Sequence, residues 1–146
     1  MRQALRLATK AAGAGEVPVG AVIVRNGQIV GRGYNQVEML KDPTAHAEMI
    51  AITQAASAVG DWRLTDCEIF VTKEPCPMCA GAAVLARLHR VVFGCADPQS
   101  GGAGGLVNLL QNPQLNHQCE ISSGVLADAS AELLQEFFQA RRKHVS

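Results

Sequence analysis

The sequence has no apolar run of the ~18 residues that a membrane-spanning helix needs. Its first residues, Met1-Arg2-Gln3-Ala4-Leu5, also lack the apolar core of a secretory signal peptide. We therefore expect a cytoplasmic protein without a membrane partner. The cysteines do not form an even set, since there are 5 of them. This agrees with a reducing compartment, in which Cys67, Cys95 and Cys119 would be small buried residues.

An excess of charge of either sign is also missing, because the 13 Lys and Arg residues balance the 13 Asp and Glu residues. Any contact with nucleic acid must then come from a local patch and not from the overall charge. The 146 residues leave no room for a second domain of ordinary size. We predict a single domain over residues 1–146.

What the sequence does contain is a set of metal ligands in two short segments. His46-Ala47-Glu48 is followed further along by Pro75-Cys76-Pro77-Met78-Cys79. A structural zinc site closes with four protein ligands, whereas a catalytic one holds three and leaves a position for water. His46, Cys76 and Cys79 make three. The pattern therefore predicts a catalytic zinc site beside a free carboxylate, that of Glu48.

The cysteine segment by itself also fits a redox pair of the Cys-x-x-Cys type. If Pro77 is the first residue of a helix, Cys76 and Cys79 lie on one face of its first turn, where the helix dipole lowers the pKa of a thiol. A redox role would leave the His-x-Glu segment unexplained. Zinc binding is therefore the favoured interpretation.

The histidine segment needs a helix start for a different reason. His46 and Glu48 point in different directions in a regular helix, so they can face one metal site only at its beginning. Asp42-Pro43 precedes them, and Thr44 is the predicted N-cap.

Periodicity and turn signals predict alternating helices and strands. Asn26-Gly27 is a hairpin signal between two apolar strands. The helix after it is expected to bury Met49, Ile52 and Ala56 and to stop at Gly60-Asp61. The predicted elements are a helix over residues 2–14, strands 17–25 and 28–34, a helix 44–59, a strand 67–72, a helix 77–88, a strand 91–94, a short helix 106–110, an edge strand 119–122 and a helix 128–143.

The order strand, helix, strand over residues 67–94 predicts a right-handed crossover between parallel strands. It places Cys76 and Cys79 at the carboxyl end of a strand, where open α/β sheets bind ligands. The segment from Asp97 to Gly105 is glycine-rich and predicts a flexible loop. No Lys-Ser/Thr pair follows it, so a phosphate-binding P-loop is not indicated.

The last predicted helix carries an apolar stripe and a basic end. Leu133, Leu134, Phe137 and Phe138 recur at helical spacing, which is typical of a helix that packs on a core. The basic segment Arg141-Arg142-Lys143-His144 follows. It fits a solvated helix end as well as a site for phosphates and unstacked bases, and the residues alone leave both interpretations open.

The His-x-Glu and Pro-Cys-x-x-Cys motifs resemble those of the zinc-dependent nucleoside and nucleobase deaminases. Over nearly the whole chain, the sequence looks like the bacterial tRNA-specific adenosine deaminases. The resemblance implies an α/β fold of the cytidine deaminase type, a three-layer α/β/α sandwich with a mixed five-stranded sheet. The matching segments are Glu16-Val17-Pro18-Val19-Gly20-Ala21-Val22, Asp42-Pro43-Thr44-Ala45-His46-Ala47-Glu48, Glu74-Pro75-Cys76-Pro77-Met78-Cys79-Ala80-Gly81-Ala82, and Phe137-Phe138 with Arg141-Arg142.

The resemblance also implies a reaction. One zinc ion per chain would activate a water molecule, and Glu48 would move protons to the purine ring and to the leaving amino group, so that adenosine becomes inosine. Backbone groups around Ala47, Pro75 and Cys76 would orient the water and the leaving group.

The implied substrate is the wobble adenosine of a tRNA anticodon, and DNA is not expected. A homodimer would complete the RNA groove. Asn35, by itself an ordinary turn residue, would contact the target base and ribose, and Asp97 would lie near the sugar. Phe138, Arg141 and Arg142 would lie near the anticodon loop.

Two alternative functions remain open, and one residue differs from the family pattern. Guanine and other free-nucleobase or nucleotide deaminases share the His-x-Glu motif, although small cytidine deaminases commonly have Cys in place of His46. A catalytically silent, zinc-stabilised RNA-binding module would not need Glu48. Lys73 stands where the family usually has an aliphatic residue. It could pair with Glu74, reach a substrate phosphate or mark a shifted partner.

Overall fold

The computed structural model describes the backbone of residues 1–145 and the side chains of residues 1–143. Within that part of the chain there are five helices and five strands. No helix there is long and apolar enough to cross a membrane. The elements are α1 (Arg2–Gly13), β1 (Gly20–Arg25), β2 (Gln28–Tyr34), α2 (Val37–Leu40), α3 (Ala47–Val59), β3 (Cys67–Lys73), α4 (Pro77–Leu85), β4 (Arg90–Cys95), β5 (Glu120–Ser122) and α5 (Ala127–Val145).

The strands form one mixed sheet in the order β2-β1-β3-β4-β5. β1 pairs antiparallel with β2 and with β3, whereas β3 with β4 and β4 with β5 pair in parallel. Asn26 and Gly27 form the hairpin turn with φ values of 52° and 76°, as the sequence predicts. The predicted parallel pairing across α4 is also confirmed.

Helices cover both faces of this sheet. α1 and α5 pack on one face, and α3 and α4 pack on the other. Gly20 of β1 lies directly under α1, and Gly31 and Gly33 of β2 lie directly under α3. A Cβ at any of these positions would overlap helix backbone atoms. The predicted three-layer α/β/α sandwich with a mixed five-stranded sheet is confirmed.

The buried face of α3 is not the predicted one. Met49, Ile52 and Ala56 are only half buried. The fully buried positions of this helix are alanines, Ala47, Ala51 and Ala55. Because the glycines of β2 let α3 approach closely, small side chains fill the space and the larger ones remain on the outer face.

The first strand begins at Gly20 and not at Val17. Pro18 has no N–H for a sheet ladder, and the N–H of Val19 bonds the carbonyl of Val17 at 2.8 Å. The chain therefore turns once before it enters the sheet.

Residues 106–110 form no helix, contrary to the prediction. The N–H groups of Leu106 and Val107 both bond the carbonyl of Gly101. An isolated bridge joins Ala103 to Asn108. The backbone donors of this segment therefore turn back to the glycine-rich loop, and the two form one folded unit.

Two smaller differences from the prediction concern the end of α4 and the burial of Cys95. α4 ends at Leu85, three residues before the predicted end, and Arg87 just beyond it has a left-handed φ of 63°. The thiols of Cys67 and Cys119 are buried as predicted, whereas Cys95 is half buried. All are free thiols.

Candidate active site

Two helix starts meet on one side of the sheet. His46 is the residue before α3, and Cys76 is the residue before α4. The Nδ1 atom of His46 lies 3.6 Å from the Sγ of Cys76 and 3.6 Å from the Sγ of Cys79. The ligand atoms of these three residues all lie within 4.8 Å of one another. The structure therefore brings together the three residues that the sequence pattern selects.

The donor set fits zinc. In a tetrahedral site with ordinary Zn–N and Zn–S bond lengths, a nitrogen and a sulfur ligand lie about 3.5 Å apart. The observed distances from the His46 nitrogen to the two sulfur atoms are close to this value. Among the residues with described side chains, no fourth His, Cys, Asp or Glu joins the group. Three ligands leave one position for a water molecule, as in a catalytic site.

A hydrogen bond couples the two thiols and moves their pKa values in opposite directions. A hydrogen bond from Cys79, with further help from His46, lowers the pKa of Cys76 to about 4. The same bond, together with burial, raises the pKa of Cys79. The pKa of His46 is raised, chiefly by its hydrogen bond to Cys76. Cys76 is therefore the more acidic of the two thiols, and the thiolate is the form of cysteine that binds a metal.

The start of α3 is capped differently from the prediction. The N–H and Oγ1 of Thr44 both donate to Oδ1 of Asp42, at 2.8 Å and 2.7 Å, so Thr44 closes a turn and is not the N-cap. His46 occupies the N-cap position. The Oδ1 of Asn35 accepts the N–H of Ala47 at 2.8 Å. Asn35 thus fixes the helix start that presents His46.

Glu48 lies in the first turn of α3 and is only 5% exposed. Burial raises the pKa of its carboxyl group, and the nearby His46 opposes this shift. Glu48 is not a member of the ligand group. A buried carboxyl group beside three metal ligands, and not itself one of them, is placed to accept and release a proton.

These residues line a cavity of about 320 Å³, within the range of small-ligand sites. Ala47 and Pro75 adjoin it along the chain. Among the residues that line it, Glu48 is buried and Asn35, His46 and Cys76 are half buried. Lys73 and Asp97 are half buried as well, and Ser100 and Arg141 are exposed.

Only one of the predicted tail residues reaches the cavity. Arg141 lines it, donates to the carbonyl of Gly15 at 2.9 Å and lies 4.8 Å over the ring of Phe137. Phe138 and Arg142 are exposed on α5 and do not line the cavity. The side chain of His144 lies outside the described residues.

Glu74 has a role that the sequence analysis did not assign. It is buried, and its Oε1 accepts the N–H of Asp97 at 2.9 Å. Its Oε2 accepts the N–H groups of Ala103 at 3.0 Å and Gly105 at 2.8 Å. A Cβ at Gly101 or Gly105 would overlap this carboxylate. The glycine-rich loop is therefore folded around Glu74, and the prediction of a flexible loop is wrong.

A second buried carboxylate has the same kind of function on the other side of the cavity. Glu16 accepts the N–H of Glu38 at 3.0 Å and the N–H of Met39 at 2.8 Å. These are backbone donors at the start of α2. Because such donors lack partners inside the helix, Glu16 holds α2 against the cavity.

Lys73 pairs with Asp97, at 3.0 Å between Nζ and Oδ2, and not with Glu74. The Oδ1 of Asp97 accepts the N–H groups of Gln99 and Ser100. Burial by itself would raise the pKa of Asp97, but the hydrogen bond and charge of Lys73 and these backbone donors hold it below its ordinary range. Asp97 is therefore an ionised and fixed part of the wall.

Comparison with known proteins agrees with this geometry. Residues 1–142 match the family of MafB19-like deaminases. The tRNA-specific adenosine deaminase of Bacillus subtilis (strain 168) is 50% identical over 143 residues, which cover 98% of this chain and 89% of that protein. The protein of the same name from Aquifex aeolicus is 46% identical over 145 residues, or 99% of this chain and 95% of that protein.

Solved structures give the same result. A structure from a study of A-to-I editing by tRNA:A34 deaminases at the wobble position of transfer RNA has a TM-score of 0.89 and 40% identity, covering 92% of this chain and 97% of that one. A guanine deaminase from Nitrosomonas europaea has a TM-score of 0.80 at 23% identity, covering 93% and 81%, and shows the fold alone. The chain belongs to the family of tRNA-specific adenosine deaminases, within the MafB19-like deaminases.

Proposed function

We propose that this protein converts the adenosine at the wobble position of a tRNA anticodon to inosine by hydrolytic deamination. The observation that carries the proposal is the set of three metal ligands beside a buried, free carboxylate in one cavity. Its 50% identity with a tRNA-specific adenosine deaminase supports the choice of substrate.

His46, Cys76 and Cys79 would hold one zinc ion, which when bound supplies the Lewis acidity that makes water nucleophilic near neutral pH. Glu48 accepts a proton from the attacking water on its carboxylate. It delivers that proton to N1 of the adenine, and it then takes the remaining proton from the hydroxyl group added at C6 and passes it to the departing amino group. One water molecule is consumed at C6, and one ammonia molecule leaves. The raised pKa of Glu48 lets the carboxyl group hold the proton between these transfers.

The backbone groups proposed to orient the reactants already have partners in the structure. The N–H of Ala47 donates to Asn35, and the carbonyl of Pro75 accepts the N–H of Gly102 at 2.7 Å. The amide nitrogen of Asn35 would therefore supply the contact to the base or ribose on this side. The carbonyl of Pro75 keeps a second lone pair for the leaving amino group.

A comparison of substrates tests the proposed function. Deamination is followed on an anticodon stem-loop and on free adenosine, guanine and cytidine. The rate of deamination of the stem-loop should far exceed that of free adenosine, because remote RNA contacts position the flipped base. Guanine and cytidine should not be deaminated. Efficient deamination of guanine with the stem-loop untouched would instead indicate a free-purine enzyme. Tight binding of the stem-loop without deamination of any substrate would indicate a silent RNA-binding module.

The basic end of α5 gives a separate prediction for RNA binding. The variants Arg141→Ala and Arg142→Ala should each show a salt dependence of stem-loop binding that is flatter by about one unit of slope. Each variant lacks one phosphate contact, so its binding releases about one counterion fewer. Arg25→Ala is the matched control, since Arg25 pairs with Asp66 at the end of β1 away from the cavity. Equal slopes in all variants would mean that this end is only a solvated helix terminus.

We also propose that the protein is a homodimer. The outer face of α3 and the neighbouring surface carry large apolar side chains that the sheet does not cover. Met49, Ile50 and Ile52 are half buried, and Trp62 and Leu85 are 55% and 70% exposed. A contiguous apolar surface on a soluble domain is typical of an interface, and a second copy would cover it.

Leu85→Glu should therefore convert the dimer to a monomer, because a charge would be buried in the interface. Leu115→Glu is the matched control, since Leu115 is also exposed but lies in the loop before β5. Sedimentation equilibrium distinguishes the two states. A parent protein that is monomeric, or a Leu85→Glu variant that stays dimeric, would contradict this interface.

A further inference from the structure

The cavity is lined by more carboxylates than cations, although the proposed substrate is a polyanion. The acidic residues that line it are Glu16, Glu38, Glu48, Glu74 and Asp97. The Lys and Arg residues that line it are Lys73 and Arg141. A carboxylate near the path of a phosphate repels the strand unless a nearby cation offsets its charge. A role of Lys73 or Arg141 in neutralising these carboxylates for RNA rests on the proposed function.

Three of these carboxylates lie on the buried side of the lining. Glu16 and Glu74 are bonded to backbone N–H groups, and Glu48 is placed to carry protons. A base that reaches Glu48 leaves its sugar and phosphate on the more exposed side of the cavity. The two carboxylates of the lining that are not buried are those of Asp97, which is half buried, and Glu38, which is exposed.

Asp97 is neutralised by a direct ion pair. The Nζ of Lys73 lies 3.0 Å from its Oδ2, and the two side chains are 34% and 14% exposed. Lys73 is the last residue of β3, so it stands on a rigid element at the edge of the cavity. The other oxygen of Asp97 is held by Gln99 and Ser100. The loop therefore fixes the carboxylate even without Lys73, but only Lys73 among these partners cancels its charge.

We propose that Lys73 is a positioning residue for RNA, which admits the sugar-phosphate chain of the target nucleotide by acting as the counterion of Asp97. In a chain with an aliphatic residue at this position, the carboxylate would face the phosphate uncompensated. The ion pair makes this part of the wall neutral. Lys73 then acts through Asp97 and makes no direct contact with a phosphate.

The test measures binding of an anticodon stem-loop at several salt concentrations, in a Glu48→Ala background that blocks turnover. Lys73→Leu should weaken binding about tenfold at low salt, because it exposes the phosphate to a nearby carboxylate. The deficit should shrink as salt screens the repulsion. Lys73→Arg should bind like the parent. Adding Asp97→Asn to Lys73→Leu should recover most of the loss, since an amide oxygen still accepts from Gln99 and Ser100.

Two results would overturn the proposal. A deficit that persists at high salt would mean that Lys73 supports packing. A deficit that Asp97→Asn does not relieve would mean that Lys73 itself contacts a phosphate. Unfolding temperatures are measured in parallel, and Lys73→Gln replaces Lys73→Leu if the leucine variant does not fold.

Stem-loop binding by the parent protein distinguishes a failure of the counterion role from a failure of the proposed function. If the parent binds the stem-loop and Lys73→Leu binds it equally well, only the counterion role fails. If the parent neither binds nor deaminates the stem-loop, the proposed function fails and the counterion role fails with it.

Discussion

Replacing Glu48 with alanine is expected to lower turnover by at least ~10²-fold while zinc content and stem-loop affinity are kept. Glu48 is buried beside the ligand group but is not part of it. Its loss should therefore remove the proton carrier and leave the three ligands and the RNA surface in place. Because the affected steps are chemical, the change should fall on kcat and not on binding.

The control for this variant is Glu120→Ala. Glu120 is an exposed carboxylate at the start of β5, which pairs with the start of β4 at the end of the sheet away from the cavity. It should keep full turnover. Near-normal turnover in Glu48→Ala would contradict the proton-transfer role. Loss of zinc in Glu48→Ala would show that the carboxylate also serves the metal site.

Replacing Cys79 with alanine is expected to abolish both zinc binding and activity. Two protein ligands would remain, and the buried thiol that completes the group would be gone. Because the ligands must be deprotonated and brought together on folding, metal binding contributes to the free energy of folding. The variant should therefore also unfold at a lower temperature than the zinc-loaded parent.

Cys95→Ala provides the matched control for the metal site. Cys95 is also a free thiol, half buried at the end of β4, but it is not a member of the ligand group. It should keep one zinc ion per chain. A chelator should lower the unfolding temperature of the parent and leave that of Cys79→Ala unchanged. Full zinc content in Cys79→Ala would refute the ligand assignment.

The sequence predicts the centre of the site well because its geometry is local. Cys76, Pro77 and Cys79 lie within one turn, and a proline at the first helical position fixes where that turn begins. His46 likewise stands at the start of a helix. Helix starts of this kind are determined by a few consecutive residues, so a motif is enough to place the ligands.

The parts that the sequence does not predict depend on contacts between distant residues. The buried alanine face of α3 depends on Gly31 and Gly33, which belong to another strand and set how closely the helix can approach. Thr44 was the predicted N-cap, but α3 begins later, at Ala47. Asn35, on a separate segment, accepts the N–H of this first helical residue. In each case the local pattern allowed two arrangements, and a tertiary contact selected one.

The structure of the glycine-rich loop also depends on a distant residue that its local sequence does not reveal. Its composition is typical of a flexible segment, and nothing within it indicates a partner. The carboxylate that orders it, Glu74, lies before α4, and the backbone groups that it bonds, those of Ala103 and Gly105, follow it by 29 and 31 residues. The partner of Lys73 was left open for the same reason, because Asp97 reaches it only when this loop is folded.

Titration of metal-free protein with zinc shows whether the chain carries out a zinc-dependent deamination of RNA at one adenosine. Inosine is then mapped by position in an anticodon stem-loop that also contains other adenosines. Activity should rise in proportion to zinc up to one ion per chain, with inosine confined to the wobble position. Full activity without zinc, or a protein with one zinc per chain that forms no inosine at that position, would contradict the account.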